Sequence, residues 1–304
     1  MNAEEQARAD IVEVGRRLWA RAFVAANDGN ISIRLGENRL ITTPKNVSKG
    51  FMTPDMMVIT DLQGVRVAGE REASSELKMH LEVYRNRPDA RAVVHAHPPT
   101  ATGFAVAGIP LDRAVLAEVI TTLGSIPLAE YATPSTEELP AAVRKYVKAH
   151  DGILLANHGA LALAADVFAA YYRMETIEHF ARISLVAHML GREHLLSRSE
   201  VDRLQGLRGM YGIASPAPIC TDDTTMPTNA QLDCQVVQAP ASAERLVPHA
   251  PAFSDGPIER LKDLRQSHVD ARARSLSSPG TDEEIRLTYR ELTALIEDAV
   301  RQLK

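Results

Sequence analysis

The chain has 304 residues, of which 45% are hydrophobic and 24% charged, an ordinary globular composition that excludes collagen-like, disulfide-scaffold and wholly disordered proteins. The net charge of -5 gives no electrostatic footprint for nucleic acid, and no apolar run approaches the roughly 18 residues of a membrane span. The acidic N-terminus lacks a secretory signal, and Cys220 and Cys234 lack metal-type spacing, so we expect a cytoplasmic protein with two free thiols.

The predicted elements begin with a helix over 7–22, where Ile11, Val14 and Leu18 recur at helical spacing. Gly29 and Asn30 then form a predicted turn into an alternating strand over 31–35. Further strands are predicted at 39–43, 57–61, 92–97 and 153–156, and further helices at 75–87, 136–150 and 167–191. Because these elements mix without regular alternation, the sequence predicts an α+β layered fold.

The composition changes near residue 214. Eight of the 17 prolines fall within 214–280, and the chain from 214 onward contributes only Phe253 and Tyr289 of the aromatic residues. Such a segment cannot build much core, so we predict a compact domain over 1–213 and a disordered, Pro-rich linker over 214–280. An acidic start and an apolar stripe at helical spacing then predict an amphipathic helix over 281–304.

Three histidines have the setting of a metal site. His95 and His97 stand two residues apart after an apolar run of strand character, so both imidazoles face one side of the strand. His158 follows the predicted strand at 153–156 and precedes Gly159. Three neutral imidazoles with an open position are typical of a catalytic zinc site. The alternative is that each is a core histidine that serves as a hydrogen-bonding group.

A predicted helix N-terminus supplies the second group of candidates. Ser74 and Ser75 can satisfy free N–H groups there, and with the helix dipole they form an anion site suited to phosphate. Glu76 can point at the metal as a fourth ligand or base. The plain alternatives are helix capping by the serines and a solvated first-turn acid.

Six stretches taken together resemble the class II aldolase and adducin family, in its L-fuculose-1-phosphate aldolase-like branch. They are Asp28-Gly29-Asn30-Ile31-Ser32, Leu40-Ile41-Thr42-Thr43-Pro44, Ser74-Ser75-Glu76, the run from Arg87-Pro88-Asp89-Ala90 to Val94-His95-Ala96-His97, the run from Ser125-Ile126-Pro127 to Tyr131-Ala132-Thr133, and Asn157-His158-Gly159. The resemblance implies a three-layer αβα fold with a central, mainly antiparallel sheet. It spans about two thirds of the chain and so supports a domain end near residue 213.

The resemblance also implies the site. A divalent metal, usually zinc and otherwise Mn²⁺ or Co²⁺, would be held by His95, His97 and His158. The Glu76 carboxylate would bind the metal in the free enzyme. When substrate displaces this carboxylate from the metal, Glu76 would act as the acid/base. Phosphate and substrate contacts would come from Gly29, Asn30, Thr43, Lys45, Ser74 and Ser75. Tyr211 resembles a C-terminal tyrosine that protonates or orients the aldehyde; the alternative is an exposed aromatic at the end of a domain.

The implied reaction is the retro-aldol cleavage of a 1-phosphorylated ketose, such as L-fuculose or L-rhamnulose 1-phosphate, to dihydroxyacetone phosphate and an aldehyde. Relatives instead decarboxylate 3-oxo-tetronate phosphates, epimerise ribulose 5-phosphate or dehydrate methylthioribulose 1-phosphate. Non-catalytic adducin-like members lack the histidines, so the complete triad argues against a purely interacting protein.

The sequence departs from the aldolase pattern at two places. Lys45 and Asn46 stand where L-fuculose-1-phosphate aldolase has a Thr-Gly pair in its phosphate loop. A lysine at this place can bind phosphate or a substrate carboxylate as a point charge. The family's second catalytic tyrosine, from a neighbouring subunit, has no counterpart here. Glu118 is either a replacement acid or an ordinary helix carboxylate.

Assembly is a further expectation. Relatives imply a homotetramer with sites at subunit interfaces. The helix predicted over 281–304 cannot bury its own apolar stripe, so it docks either on its own oligomer or, as in encapsulation peptides of bacterial microcompartment cargo, on a shell protein.

Overall fold

The computed structural model describes residues 2–213 together with Ser215, Ala217 and Ile219. Within this part the helices are Ala3–Ala20 (α1), Leu77–Asn86 (α2), Pro99–Val106 (α3), Ala117–Thr122 (α4), Glu138–Arg144 (α5), Val167–Met189 (α6) and Arg198–Gly206 (α7). The strands are Asn30–Arg34 (β1), Leu40–Thr42 (β2), Val58–Thr60 (β3), Arg66–Ala68 (β4), Ala92–Ala96 (β5), Leu128–Ala129 (β6), Gly152–Leu155 (β7) and Gly159–Ala164 (β8). Short 3₁₀ turns lie at Lys49–Phe51, Pro54–Met56 and Arg208–Tyr211.

The strands form one sheet in the order β4-β3-β2-β1-β5-β8-β7-β6. Every described pair is antiparallel except β6 with β7, which is parallel. The strand β5 lies at the centre between β1 and β8, where Asn30 pairs with His95 and His95 pairs with Leu161. The expected α+β fold with a mainly antiparallel sheet is confirmed.

Helices cover both faces of the sheet. Successive strand residues point to opposite faces, so Val94 and Ala96 pack into one core cluster with residues of α1, α3 and α6. Val93, Leu161 and neighbouring strand residues pack into a second cluster with residues of α2 and α5. The predicted three-layer arrangement therefore follows from a sheet that is apolar on both faces.

Several boundaries differ from those predicted. The helix α1 begins at Ala3, because Asn2 and Glu5 form a capping box there. The helix α2 begins at Leu77 rather than at residue 75, with Glu76 as its N-cap residue. The helix α5 ends at Arg144, and the strands β4, β6 and β8 and the helices α3, α4 and α7 lie in stretches for which the sequence predicted no element.

Buried residues continue past the predicted domain end at 213. Ser215, Ala217 and Ile219 are all buried, and the Ala217 amide donates to the Ala149 carbonyl at 2.8 Å. The Ser215 hydroxyl donates to Asp151 Oδ2 at 2.7 Å, and the same buried carboxylate pairs with Arg173 Nη2 at 3.0 Å. The compact domain therefore includes residues beyond 213 that hydrogen bonds to buried groups hold in place.

Among the described residues, no helix combines the length and apolarity that a bilayer span requires. The remainder of the predicted linker over 214–280 and the predicted docking helix over 281–304 lie outside the described residues.

Candidate metal centre

Two neighbouring strand ends bring the three histidines together. His95 lies within β5 and His97 follows directly after that strand. His158 lies in the connection between β7 and β8, which pair at Leu155 and Gly159. Asn157 completes this tight turn in a left-handed conformation, with φ of 55°, which asparagine tolerates better than most residues. Because β5 pairs with β8, the turn places His158 beside His95 and His97.

The imidazole nitrogens have the spacing of a shared metal ion. One nitrogen from each of His95, His97 and His158 lies within 4.8 Å of the others, and His95 Nε2 lies 3.1 Å from His97 Nε2. A tetrahedral ion with metal–nitrogen bonds of about 2.05 Å requires nitrogens about 3.3 Å apart. The spacing of this cluster is compatible with that requirement.

Hydrogen bonds on the far sides of two rings fix their tautomers. His95 Nδ1 lies 2.9 Å from the Ala160 carbonyl oxygen, which can only accept, so Nδ1 carries the proton and donates. His97 Nδ1 faces the Asp28 carboxylate at 3.4 Å and is protonated for the same reason. Both Nε2 atoms therefore present lone pairs to each other across 3.1 Å. A cation between them resolves this repulsion, so these residues fit a divalent metal.

Glu76 supplies a carboxylate to the same point. Its Oε1 lies 3.1 Å from His158 Nε2, and its Oε2 lies 3.4 Å from His95 Nε2. The Asn30 amide donates to Oε2 at 2.8 Å. Oε1 is buried and has no well-aligned hydrogen bond, so it remains available as a ligand or as a proton acceptor. Glu76 is the N-cap residue of α2, and its side chain contacts Asn30 of β1 and His95 of β5.

The electrostatics favour neutral rings at His95 and His97 and an ionised Glu76 carboxylate. Burial lowers the pKa of His95 well below its ordinary value, and burial likewise lowers the pKa of His97. Burial alone would raise the pKa of Glu76, but the His95 and His158 rings and the Asn30 amide outweigh it, so the pKa of Glu76 lies well below its ordinary value. Metal ligands must be deprotonated, and these groups are already in that state near neutral pH.

Two glycines allow the loops to approach the strand that carries the histidines. A Cβ at Gly29 would lie 2.8 Å from the His95 carbonyl oxygen, and Gly29 has a φ of +73°. A Cβ at Gly159 would lie 2.6 Å from both the Ala96 carbonyl oxygen and His97 Cδ2. Any larger residue at either position would displace the backbone or a candidate ligand.

Three segments that carry the predicted phosphate contacts meet beside the metal centre. The Ser74 amide donates to the Thr43 carbonyl at 3.2 Å. The Thr43 amide donates to the Ile31 carbonyl, next to Asn30, at 3.0 Å. Asn30 in turn contacts Glu76, and Asn30 Oδ1 is buried without a hydrogen-bond partner. The loops before β1, after β2 and before α2 therefore form one continuous cradle.

The individual predicted contacts differ in how open they are to a ligand. Ser75 is exposed and Ser74 is half-buried, with its hydroxyl accepting from the Glu76 amide at 3.3 Å. Thr43 is fully buried, and its hydroxyl oxygen accepts from the Ile31 amide at 3.2 Å, so its side chain links the residue after β2 to β1. Lys45 is exposed and lies 3.6 Å from Glu72. Asn46 has a φ of 57°, a left-handed conformation that asparagine tolerates better than most residues.

Tyr211 and Glu118 are not among the residues that converge on the cluster. Tyr211 ends a 3₁₀ turn and is 65% exposed. Glu118 lies exposed in the first turn of α4. Asp28 is the opposite case, because its contact with His97 follows from the turn geometry and was not predicted. The sequence signal that could have identified Asp28 is its position directly before Gly29 and Asn30.

Comparison with known proteins agrees with the geometry. Residues 9–185 match the family described as class II aldolase and adducin N-terminal domain. A 5-deoxy-D-ribulose 1-phosphate aldolase of Bacillus thuringiensis is 33% identical over 210 residues, which cover 68% of this chain and 98% of the relative. A 3-oxo-tetronate 4-phosphate decarboxylase of Pectobacterium atrosepticum is 27% identical over 190 residues, covering 61% of this chain and 87% of the relative.

Among solved structures, an L-fuculose 1-phosphate aldolase superposes with a TM-score of 0.63 at 30% sequence identity, covering 68% of this chain and 96% of that chain. The fold is therefore the class II aldolase fold. Enzymes of more than one reaction type share it, and the candidate metal residues of this chain lie inside the matched region. Because the family match spans more than half of the chain, the protein belongs to the class II aldolase and adducin family.

Proposed function

We propose that the protein is a metal-dependent lyase that cleaves a 1-phosphorylated ketose, of the L-fuculose or L-rhamnulose 1-phosphate type, to dihydroxyacetone phosphate and an aldehyde. One observation carries the proposal. The three imidazoles each place a nitrogen within 4.8 Å of the others, and the Glu76 carboxylate oxygens lie 3.1 Å from His158 Nε2 and 3.4 Å from His95 Nε2, directly beside a cradle of loops suited to phosphate. The similarity to aldolases that act on 1-phosphorylated sugars supports the substrate class.

The residues divide the chemistry between them. A divalent ion, zinc or otherwise Mn²⁺ or Co²⁺, held by His95, His97 and His158, would act as a Lewis acid toward the ketose carbonyl. Glu76 is held ionised, and its buried Oε1 has no well-aligned hydrogen bond. Oε1 can therefore accept the proton of the substrate hydroxyl on the carbon that becomes the aldehyde, where the carbon–carbon bond breaks. Asn30 fixes the other carboxylate oxygen. The electrons of the broken carbon–carbon bond pass to the ketose fragment, and the other fragment leaves as the aldehyde. Glu76 would then return the proton to that carbon of the ketose fragment, which gives dihydroxyacetone phosphate.

The remaining predicted residues bind and orient. Gly29, Asn30, Ser74 and Ser75 would contact the phosphate, with Lys45 as a point charge at the rim and Thr43 supporting the cradle through its strand contacts. Tyr211 would protonate or orient the aldehyde when the C-terminal end of the domain approaches the site. Glu118, exposed on α4, is the candidate replacement acid.

Decarboxylation of a 3-oxo-tetronate 4-phosphate is the second candidate function. The similarity to a decarboxylase of this kind favours it, and so does Lys45, which offers a positive charge that a substrate carboxylate requires. Epimerisation of a pentose phosphate and dehydration of methylthioribulose 1-phosphate use the same kind of metal centre. The complete histidine cluster argues against a non-catalytic, adducin-like role.

The assay presents the metal-loaded protein with phosphorylated ketoses and with 3-oxo acid phosphates, and measures triose phosphate and carbon dioxide. We expect triose phosphate. In the matched variant Glu76→Gln, which keeps the shape and loses the charge, we expect bound metal to be retained and turnover to fall at least about 100-fold. Turnover of Glu76→Gln equal to that of the unmodified protein would refute its role as base.

Two finer proposals concern assembly. We expect a homotetramer, and the exposed apolar residues Val186, Met189 and Leu190 at the end of α6 are available for subunit contacts. For residues 281–304 we retain the hypothesis of docking onto a microcompartment shell protein. Deleting them and measuring oligomer mass, activity and co-sedimentation with shell protein tests it, and unchanged co-sedimentation contradicts it.

A further inference from the structure

Lys49 is a buried lysine that is not one of the candidate metal ligands or phosphate contacts. It begins the 3₁₀ turn after the loop that follows β2, and it is only 2% exposed. Its ammonium donates to the Asn27 carbonyl at 2.8 Å and to the Val47 carbonyl at 2.7 Å. These carbonyls belong to two different loops, one leading into β1 and the other leading away from β2. Lys49 therefore bridges the two loops.

The position of Lys49 opposes its charge. Burial lowers the pKa of Lys49 to about 8, although the Asp28 and Glu76 carboxylates act to raise it. The hydrogen bonds given by its ammonium go to neutral carbonyls rather than to a paired carboxylate. An apolar side chain of similar length would fill the same space without the cost of desolvating a charge. Packing alone therefore does not explain a lysine here.

The two bridged loops carry two walls of the proposed phosphate cradle. The first loop leads into Gly29 and Asn30, and the second contains Lys45 and Asn46. Both walls also contact the segment before α2, through Asn30 to Glu76 and through the Lys45 amide to the Glu72 carbonyl at 2.9 Å. Lys49 thus adds a direct tie between the two walls, beside the β1–β2 pairing and the Thr43–Ile31 hydrogen bonds.

We propose that Lys49 is a positioning residue that holds the two walls of the phosphate cradle together and contributes its positive charge to phosphate binding. It does so without touching the substrate, because its donors are directed at backbone carbonyls. This inference rests on the proposed function, since it assigns a role within the same phosphate site. Its consequence is that phosphate affinity, rather than metal affinity, depends on Lys49.

The test compares Lys49→Met, which removes the charge and both hydrogen bonds, with the control Lys145→Met. Lys145 is an exposed lysine at the end of α5 that pairs with Glu130 on the surface. Titration calorimetry measures binding of inorganic phosphate to the metal-loaded full chain, with metal content and melting temperature recorded in parallel. For Lys49→Met we expect phosphate binding about tenfold weaker with metal content unchanged, and KM for the sugar phosphate raised more than kcat is lowered. Lys145→Met should match the unmodified protein.

The conservative variant Lys49→Arg keeps the charge and the donors, and we expect it to bind phosphate within about threefold of the unmodified protein. Phosphate binding by Lys49→Met equal to that of the unmodified protein overturns the proposal for Lys49 alone. The proposal is also overturned if Lys49→Met loses both its metal and its ability to bind phosphate, because the residue is then merely structural. If the unmodified protein binds no phosphate, the proposed function fails together with this inference.

Discussion

A single added methyl group at Gly159 should disturb the metal centre. The Cβ of Gly159→Ala would lie 2.6 Å from both the Ala96 carbonyl oxygen and His97 Cδ2, whereas ordinary van der Waals contact begins at 3.4 Å. The atoms must therefore separate by about 0.8 Å. The Ala96 carbonyl belongs to the central strand β5, which pairs with β1 along one edge and with β8 along the other. The His97 ring and the β7–β8 turn are thus the parts that can move.

Displacement on this scale has a predictable magnitude. A misplacement of about 1 Å at a reacting centre costs on the order of 100-fold in rate, and disturbing the groups that orient a metal ligand costs 10- to 100-fold in affinity. Overpacking adds a loss of about 1–3 kcal/mol in the free energy of unfolding. Gly159 lies outside the left-handed region of backbone conformations, so steric overlap is the cause of both effects.

The assay is a competition titration of zinc against a chelator, with thermal unfolding of the metal-free protein measured beside it. For Gly159→Ala we expect zinc affinity to fall at least about tenfold. The control Gly103→Ala lies in α3, where an added Cβ meets nothing within 4 Å, and it should bind zinc normally. A folded Gly159→Ala protein with unchanged zinc affinity would refute the steric reasoning.

Two further predictions concern Asp28 and His150. Asp28→Asn removes the carboxylate that faces His97 Nδ1, so we expect metal affinity about 10- to 100-fold lower with the melting temperature of the metal-free protein unchanged; equal affinity would show that the contact has no orienting role. Burial lowers the pKa of His150 from 6.5 to about 4, so the unfolded chain binds the extra proton and stability is lost as pH falls from 6.5 toward 4. The loss at pH 5 is about 2 kcal/mol in the free energy of unfolding. Denaturant titrations at pH 7 and pH 5 measure how much this free energy falls between the two pH values. The fall should be smaller by that amount in His150→Asn than in the unmodified protein. An identical pH dependence in both proteins would contradict the buried neutral state.

The sequence alone predicted part of the histidine cluster that forms the candidate metal centre. His95 and His97 are separated by two residues after an apolar run, and strand periodicity places them on one face. The pairing of β5 with β8 could not be predicted in the same way. Residues Gly159–Ala164 alternate alanine with leucine after a glycine, which gives weak β-propensity, and their strand state depends on the neighbours on both sides.

Other parts of the site depend on contacts that no local pattern encodes. The direction of Glu76 is set by Asn30, 46 residues away in the chain. The burial of Lys49 runs against the usual exposure of lysine, and the buried Thr43 hydroxyl accepts a hydrogen bond from the Ile31 amide. Ser215, in a stretch whose composition predicted a linker, is held by the buried Asp151 carboxylate. Long-range hydrogen bonds, rather than local propensity, decide these positions.

The most direct test of the central claim is the release of dihydroxyacetone phosphate from L-fuculose 1-phosphate and L-rhamnulose 1-phosphate, followed in a coupled assay before and after removal of metal with a chelator. We expect the metal-loaded protein to release triose phosphate, the chelated protein to release none, and activity to return when a divalent metal is added. Triose phosphate release that is indifferent to metal removal, or its absence in the metal-loaded protein with both substrates, would contradict the account.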